Sequence, residues 1–299
     1  MTTFRPRGTD RALDVLSILG FSFEIRSQGC LGLNDSPPND IEIALAQVAD
    51  EYAGRSYVPY SSRPRSCVLL LENGTLIPGV RVENASFSLS LPALANAFST
   101  AAALGRIDIA AVSFSTAPSE ADLAFLRGHP LRPFSRVGDR LFKSDRITRL
   151  PAPGSVIDPM IARPGEWSTK IALAQTGKLS QHAIIPESEF PVGVLVELAD
   201  GRLIPGVNVE HPDWQQIVCA EKNALGTAVT FGLLDIAQIY LNCPTDDQAS
   251  PCGACRQIMV ELAPKATVWM DRGIRDAEEA DVNDLLPGYF SGKALHRNS

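Results

Sequence analysis

Two short apolar runs, far apart in the chain, have the same sequence pattern around them. The first is Ser66–Leu71 and the second is Val192–Leu198. Each run is followed by Asn-Gly or Asp-Gly and then by the pentapeptide Leu-Ile-Pro-Gly-Val. Apolar runs that flank such a dipeptide are typical of β-hairpins. The pattern therefore predicts two hairpins, one in each half of the chain.

The similarity between the two hairpins extends beyond their turns. Residues 73–83 and 200–210 are identical at eight of eleven positions, and the second stretch lies 127 residues after the first. Such self-similarity is the mark of a duplicated unit. We call the unit around the first hairpin the first copy and the unit around the second hairpin the second copy.

The segments around each hairpin have the lengths of helices and strands. In the first copy we predict helices from Asn39 to about Tyr52 and from Pro92 to about Leu104, and a strand over 107–114. In the second copy the predicted segments lie at 167–175, 217–232, 233–240, 252–262 and 266–270. The order strand, strand, helix, strand, helix, strand, repeated in each copy, predicts an α/β fold whose sheets are covered on both faces.

A stretch rich in proline and glycine over 143–166 predicts a linker. We therefore expect one domain at 1–150 and another at 151–299. The first of these includes an added N-terminal segment with a short helical pattern at 11–19.

The composition of the chain limits the classes of function. Of its 299 residues, 45% are hydrophobic, and no segment approaches the ~20 apolar residues of a membrane helix. The net charge is −7 without a cluster of Lys and Arg, which argues against nucleic-acid partners because these bind through phosphate neutralisation. The start of the sequence lacks the apolar core of a signal peptide. We therefore expect a cytoplasmic protein with reduced thiols and no membrane partner.

Three thiols and one carboxylate form two clusters in the second copy. Cys252 and Cys255 make a C-x-x-C pair, and Cys219 precedes Glu221 by two residues. Three thiolates on a tetrahedral zinc leave the fourth position open, as in catalytic zinc sites. A Glu two residues beyond a ligand can move protons on a water there without binding the metal. The alternatives are a structural zinc site with a fourth ligand elsewhere, or a fortuitous C-x-x-C pair.

The run Cys219-Ala-Glu, followed by Pro251-Cys-Gly-Ala-Cys-Arg-Gln257, resembles the zinc deaminases and, among them, the cytidine deaminase family. The resemblance covers residues 167–295 well and 40–128 weakly. It implies two tandem three-layer α/β/α domains and a Zn²⁺ cofactor. It also implies hydrolytic deamination of cytidine and 2′-deoxycytidine to the uridine nucleosides and ammonia, in pyrimidine salvage, with Glu221 as catalytic acid and base.

The same resemblance implies substrate-binding roles. Phe190 would line the base pocket, Asn208 and Glu210 would bind the ribose hydroxyls, and Ala220 in the Cys-Ala-Glu motif would contact the substrate. Phe190 can also be plain core, and Asn208 and Glu210 can be structural. Glu187 stands where a pocket Tyr is expected, which can change the nucleoside that fits.

The resemblance also implies a homodimer. Phe290 belongs to a Leu-Leu-Pro-x-x-Phe run whose Phe closes over a neighbouring subunit's site in relatives. The first copy would complete the shared sites with side chains such as Tyr60 and Phe87. His211 is expected in a loop or at the pocket rim.

Three thiolates leave zinc with a net negative charge. Lys222 and Arg256 lie next to the catalytic Glu and to a ligand, so they can offset this charge by hydrogen bonding to sulfur. A solvated helix Lys is the simpler alternative for Lys222.

The first copy has lost the chemistry at every matching position, so we expect it to be non-catalytic. The residues that stand in place of the ligands and the catalytic Glu are Pro92, Leu94, Ser119 and Asp122, and Arg63 and Arg81 replace Phe190 and Asn208.

For the whole chain, three alternatives stay open: a deaminase of a modified cytosine nucleoside or nucleoside antibiotic, a non-catalytic nucleoside-binding protein, and, against the charge, polynucleotide editing.

Overall fold

The computed structural model describes residues 38–128, 133–163 and 165–295. In the first copy this part of the chain forms α1 (Pro38–Ala53), β1 (Ser66–Leu71), β2 (Leu76–Val80), α2 (Ala93–Ala103), β3 (Ile109–Phe114), α3 (Glu120–Gly128), β4 (Phe134–Arg136) and β5 (Leu141–Ser144). In the second copy it forms α4 (Thr169–Leu179), β6 (Gly193–Leu198), β7 (Leu203–Val207), α5 (Ala220–Phe231), β8 (Ile236–Asn242), α6 (Gly253–Leu262), β9 (Thr267–Met270) and β10 (Glu278–Asp281). The predicted N-terminal helix at 11–19 lies outside the described residues.

Both predicted hairpins are present, and the repeated sequence explains their shape. β1 pairs with β2 and β6 with β7, antiparallel in each case. A Cβ added to Gly79 of β2 would lie 2.4 Å from the backbone nitrogen of Ala97, and one added to Gly206 of β7 would lie 2.3 Å from Ala220 O. The glycine of each Leu-Ile-Pro-Gly-Val therefore lets the following helix lie against the hairpin.

The two sheets share their first three strands and differ in the last two. The strand orders are β2-β1-β3-β5-β4 and β7-β6-β8-β9-β10. In the second copy α6 leads to β9, which runs parallel to β8. In the first copy the chain forms the edge strand β4 first and returns as β5, antiparallel to β3. The sequence pattern did not predict β4, β5 or β10.

Helices cover both faces of each sheet, which confirms the predicted α/β class. In β1, Leu69 packs in a core with Phe98 of α2, whereas its neighbour Leu70 packs in a separate core with Leu45 of α1. In β6, Val194 packs in the core that contains residues of α5 and α6. Its neighbour Gly193 faces α4, where an added Cβ would lie 2.0 Å from Thr176 O.

The two copies contact each other through equivalent helices. The hydroxyl oxygens of Thr100 on α2 and Thr227 on α5, which are counterparts in the repeat, lie 2.7 Å apart. The side-chain amide of Asn96 donates to Gly226 O at 3.2 Å and to Thr230 Oγ1 at 3.0 Å. Because a residue meets its own counterpart, the two copies pack with local twofold symmetry.

Both sheets lie in one compact unit of the described residues. The chain between the copies first returns to β2, where Leu76 N donates to Ser155 O, and Ile161 then pairs with Leu203 of β7. The domain boundary at residue 150 stays a prediction. Within the described ranges, every helix is too short or too polar to cross a membrane.

Candidate metal centre and active site

Two helix starts bring the three cysteines of the second copy together. Cys219 is the N-cap residue of α5, Cys252 is the N-cap residue of α6, and Cys255 lies in the first turn of α6. Their sulfur atoms lie within 4.8 Å of one another, and all three thiols are free. Zinc–sulfur bonds in proteins are about 2.3 Å long, so two sulfurs on one tetrahedral zinc are about 3.8 Å apart. The spacing therefore fits a single metal ion.

The protonation of the cluster also fits a metal site. Hydrogen bonds from the thiols of Cys219 and Cys255 hold the pKa of Cys252 far below its usual value. The bond to Cys252 in turn raises the pKa of Cys219. The backbone nitrogen of Cys255 also donates to Cys252 Sγ at 3.5 Å, as a free N–H at a helix start can. A thiolate flanked by thiols is a donor set in which Zn²⁺ can replace the shared protons.

Glu221 lies in the first turn of α5, beside the cluster, and only 4% of its surface is exposed. Burial raises the pKa of its carboxyl to about 7, and the negative charge of Cys252 adds to the shift. A carboxyl with a pKa close to neutrality can both accept and return a proton at neutral pH.

The hydrogen bonds predicted from Lys222 and Arg256 to sulfur are absent, which corrects that prediction for the described residues. Lys222 Nζ donates instead to Ser90 O of the first copy at 3.3 Å. Arg256 donates to Pro251 O at 2.7 Å and to Leu285 O at 3.0 Å, so its planar guanidinium group connects two loops. Burial lowers the pKa of Lys222, although the three thiols oppose the shift.

The two residues predicted to bind ribose also support the backbone before β6. Asn208 Oδ1 accepts from Val192 N at 2.8 Å, and Asn208 Nδ2 donates to Phe190 O at 2.9 Å. Glu210 Oε2 accepts from the backbone nitrogens of Glu187 and Ser188 at 2.8 and 3.2 Å. Their contact with a ribose stays a prediction.

The remaining predicted substrate residues lie at different depths. Ala220 is fully buried at the first position of α5, next to Cys219. Phe190 and Phe290 are 38% and 51% exposed. Gln257 Nε2 donates to Phe290 O at 2.9 Å, so the segment with Phe290 is attached to α6, the helix that begins at the cysteine pair.

Comparison with known proteins places this site in a family. The family described as "Cytidine and deoxycytidylate deaminase zinc-binding region" matches residues 168–271 and, in a second match, residues 23–114. Cytidine deaminase of Halalkalibacterium halodurans is 37% identical over 115 residues, which cover 38% of this chain and 87% of that protein. The chain belongs to the cytidine deaminase family.

Two further proteins are similar to this chain. Cytidine deaminase of Sporosarcina psychrophila is 35% identical over 124 residues, or 41% of this chain and 91% of that protein. The crystal structure of cytidine deaminase from Burkholderia pseudomallei aligns with 42% of this chain and 100% of its own, at 31% identity and a TM-score of 0.40.

The first copy matches the cytidine deaminase family without the cysteines. Pro92 caps α2 where Cys219 caps α5. Ser119 donates its backbone N–H and its hydroxyl to Asp122 Oδ2, at 2.8 and 2.7 Å, in place of the C-x-x-C pair. Within the described residues, the cysteine cluster of the second copy is the one group of three or more side chains placed to hold a metal ion.

One residue of the second copy was not predicted from the sequence. Glu261 lies on α6 and its carboxylate accepts hydrogen bonds from three groups of the first copy: Tyr57 OH at 3.1 Å, Tyr60 OH at 2.8 Å and Ala85 N at 2.8 Å. It therefore joins the first copy to the helix that carries two cysteines. No local motif marks Glu261.

His211 lies in the loop after β7, as expected, and it contacts the first copy. It is 4% exposed and stacks on Phe125 of α3, with ring centroids 5.0 Å apart. The position is the counterpart of Asn84, whose amide also reaches the other copy, at Gln257 O. The repeat therefore uses this position as a contact between copies.

Proposed function

We propose that the chain is a zinc-dependent enzyme that hydrolyses cytidine and 2′-deoxycytidine to uridine or 2′-deoxyuridine and ammonia. The observation that carries the proposal is the meeting of three thiols within 4.8 Å, at two helix starts, beside a buried carboxyl. Membership of the cytidine deaminase family and the names of the relatives support it.

Each residue of the site has a part in this proposal. Cys219, Cys252 and Cys255 would hold a zinc ion, which when bound would activate a water for attack on C4 of the cytosine. Glu221 would accept the two protons of that water and deliver one to N3 of the pyrimidine and one to the amino group, which leaves as ammonia. A buried carboxyl whose pKa lies near 7 suits both directions of transfer.

The nucleoside would be held by residues around the start of β6 and the end of β7. Glu210 Oε1 has no hydrogen-bond partner among the described residues, and it can accept from a ribose hydroxyl while Oε2 keeps its two backbone bonds. Asn208 joins it in binding the ribose. Phe190 and Ala220 contact the base, and Lys222 and Arg256 support the site through Ser90 and Pro251.

Ammonia release from a panel of nucleosides tests the proposal. Zinc-loaded protein should release one ammonia per cytidine or 2′-deoxycytidine converted, with uridine absorbance as the second readout. Release from a modified cytosine nucleoside alone would contradict the substrate assignment. Binding of cytidine without any release would favour a nucleoside-binding protein.

We also propose that two chains form a homodimer in solution. Phe87 and Trp214 are counterparts in the repeat and are 87% and 78% exposed, and Phe290 is exposed as well. Exposed aromatic side chains are enriched in interfaces. Light scattering should give the mass of a dimer, and Trp214→Ser should shift it towards the monomer. A fully active monomeric wild type would contradict this proposal.

A role in cytoplasmic pyrimidine salvage follows from the proposed reaction. Expression of the chain should let a pyrimidine-requiring bacterial strain that lacks its own cytidine deaminase grow on cytidine. The Glu221→Gln variant, expressed at the same level, should not support growth.

A further inference from the structure

A cavity of about 350 Å³ lies in the first copy at the place that corresponds to the metal centre of the second. Its wall includes every residue that replaces a ligand or the catalytic Glu: Pro92, Leu94, Ser119 and Asp122. Pockets for small molecules have volumes of about 300 to 1,000 Å³. The first copy has therefore lost the metal ligands but still has a pocket large enough for a ligand.

The carboxylates in the cavity wall already have hydrogen-bond donors. Asp122 Oδ2 accepts from Ser119 N and Ser119 Oγ. Asp213, which the second copy contributes to the wall, accepts from Gln215 N at 3.1 Å and Gln216 Nε2 at 3.2 Å. Donors of the protein thus partly satisfy both carboxylates of the wall.

The two arginines of the wall have donors to spare. A guanidinium has five N–H donors. Arg81 Nη2 lies 3.0 Å from Glu83 Oε1, and Arg65 Nη1 lies 3.7 Å from Asp122 Oδ2. No further partner of either guanidinium is found in the described part of the chain. Two guanidinium groups that line one cavity and have unused N–H donors favour a phosphate, which accepts several charge-assisted bonds.

The arginines are specific to the first copy. Their counterparts in the second copy are Val192 for Arg65 and Asn208 for Arg81. The wall also contains the apolar side chains of Leu91, Phe114 and Phe125, which can contact the ring of a base. Compared with the second copy, the first copy therefore has two additional cationic side chains at the corresponding place in the fold.

We propose that this cavity binds a pyrimidine nucleoside 5′-monophosphate, with its phosphate on Arg65 and Arg81. The nucleoside part of this assignment rests on the proposed function of the second copy. The phosphate part rests on the arginines alone.

Isothermal titration of the zinc-loaded full chain with cytidine and uridine 5′-monophosphates tests the site. We expect binding that is weakened about tenfold or more by Arg65→Gln or Arg81→Gln. The control Arg127→Gln, at an exposed arginine of α3 outside the cavity, should leave the Kd unchanged. Cytidine turnover without nucleotide, measured on the same samples, tests the function of the second copy separately.

A second variant covers the case in which an arginine substitution disturbs folding. Ala121 lines the cavity from an exposed position of α3, so Ala121→Trp should block the cavity without removing a charge. The proposal is overturned if neither nucleotide binds at millimolar concentration, or if the arginine and Ala121→Trp variants bind as the wild type does. Inorganic phosphate that binds as tightly as the nucleotides would also overturn it, because the base would then contribute nothing.

Discussion

The two copies share the first three strands of their sheets, and they differ in the last two strands and in the residues that stand at the metal site. Glu83 and Glu210 each accept hydrogen bonds from two successive backbone nitrogens before the first strand of their sheet, at Tyr60 and Ser61 in one copy and at Glu187 and Ser188 in the other. Gly79 and Gly206 each admit a helix. The hydrogen bonds and close contacts that the two copies share are therefore explained by folding.

The predicted metal ligands differ between the two copies. At the two helix starts the second copy has Cys219 and the pair Cys252 and Cys255, whereas the first copy has Pro92 and the pair Ser119 and Asp122. A duplicated unit can thus lose its reaction and still be needed, because the second copy packs against it. The contact of Thr100 with Thr227 and the three bonds of Glu261 show where that support acts.

The largest predicted effect is on the rate of reaction and follows from replacing the catalytic carboxyl, which is present in the second copy alone. In Glu221→Gln the thiols still hold zinc, but the side chain can no longer accept the proton. We expect kcat to fall by roughly 10²- to 10⁴-fold with zinc content unchanged. Steady-state kinetics and metal analysis check both parts, and a variant with wild-type kcat would remove Glu221 from the mechanism.

Removal of the link between the copies should have the next largest effect. Glu261→Ala removes an acceptor that Tyr57, Tyr60 and Ala85 N share, so we expect a loss of about 2 kcal/mol in the free energy of unfolding. Chemical denaturation measures the loss. Glu279→Ala on the exposed edge strand β10 is the control and should change the free energy by less than about 0.5 kcal/mol. Equal losses in the two variants would show that Glu261 does not join the copies.

The contact between equivalent helices can be tested by a double-mutant cycle. Thr100→Val and Thr227→Val should each cost about 1 kcal/mol, since each leaves a buried hydroxyl without one partner. Together they should cost less than the sum of the single changes, because no unpaired hydroxyl remains. Strict additivity would mean that the two hydroxyls do not interact.

The pH dependence of stability should show the smallest effect. Burial raises the pKa of Glu83, but hydrogen bonds from Ser61 and Tyr60 outweigh it and lower the pKa below its usual value of 4.5. A lowered pKa contributes stability above pH 4.5, and this stability is lost as the pH falls through the folded-state pKa. Thermal unfolding between pH 6 and 3 should therefore be less pH-dependent in Glu83→Gln than in the wild type. Identical slopes would contradict the assignment.

The fold was predictable from the sequence where the repeat marks it. The bounds of β1 and β2 were predicted to the residue, and the helices for which bounds were predicted lie within about four residues of those bounds, because two copies of one pattern support each other. The bounds of α3 were not predicted. The strands β4 and β10 were missed because they have only three and four residues and are largely exposed, so they lack a period-two apolar pattern. The return of β5 antiparallel to β3 is a difference in topology that the repeat conceals.

The site was predictable to the extent that its motifs are local. The cysteines and Glu221 fall within short runs of sequence, whereas Glu261 acts on residues 176 to 204 positions away. The acceptors predicted for Arg256 and Lys222 were wrong for the same reason. The acceptors in the structure, Leu285 O and Ser90 O, belong to segments that are distant in the sequence. Contacts that depend on the packing of two copies leave no pattern in either one.

Zinc content per chain tests most directly whether one copy alone holds the metal. Metal analysis of the purified wild type should give one zinc ion per chain. This ion should be lost in Cys252→Ser and retained in Ser119→Ala, the matching change in the first copy, and in Cys243→Ser, a buried cysteine outside the cluster. Two zinc ions per chain, or one that remains in Cys252→Ser, would contradict the assignment of the metal to the second copy.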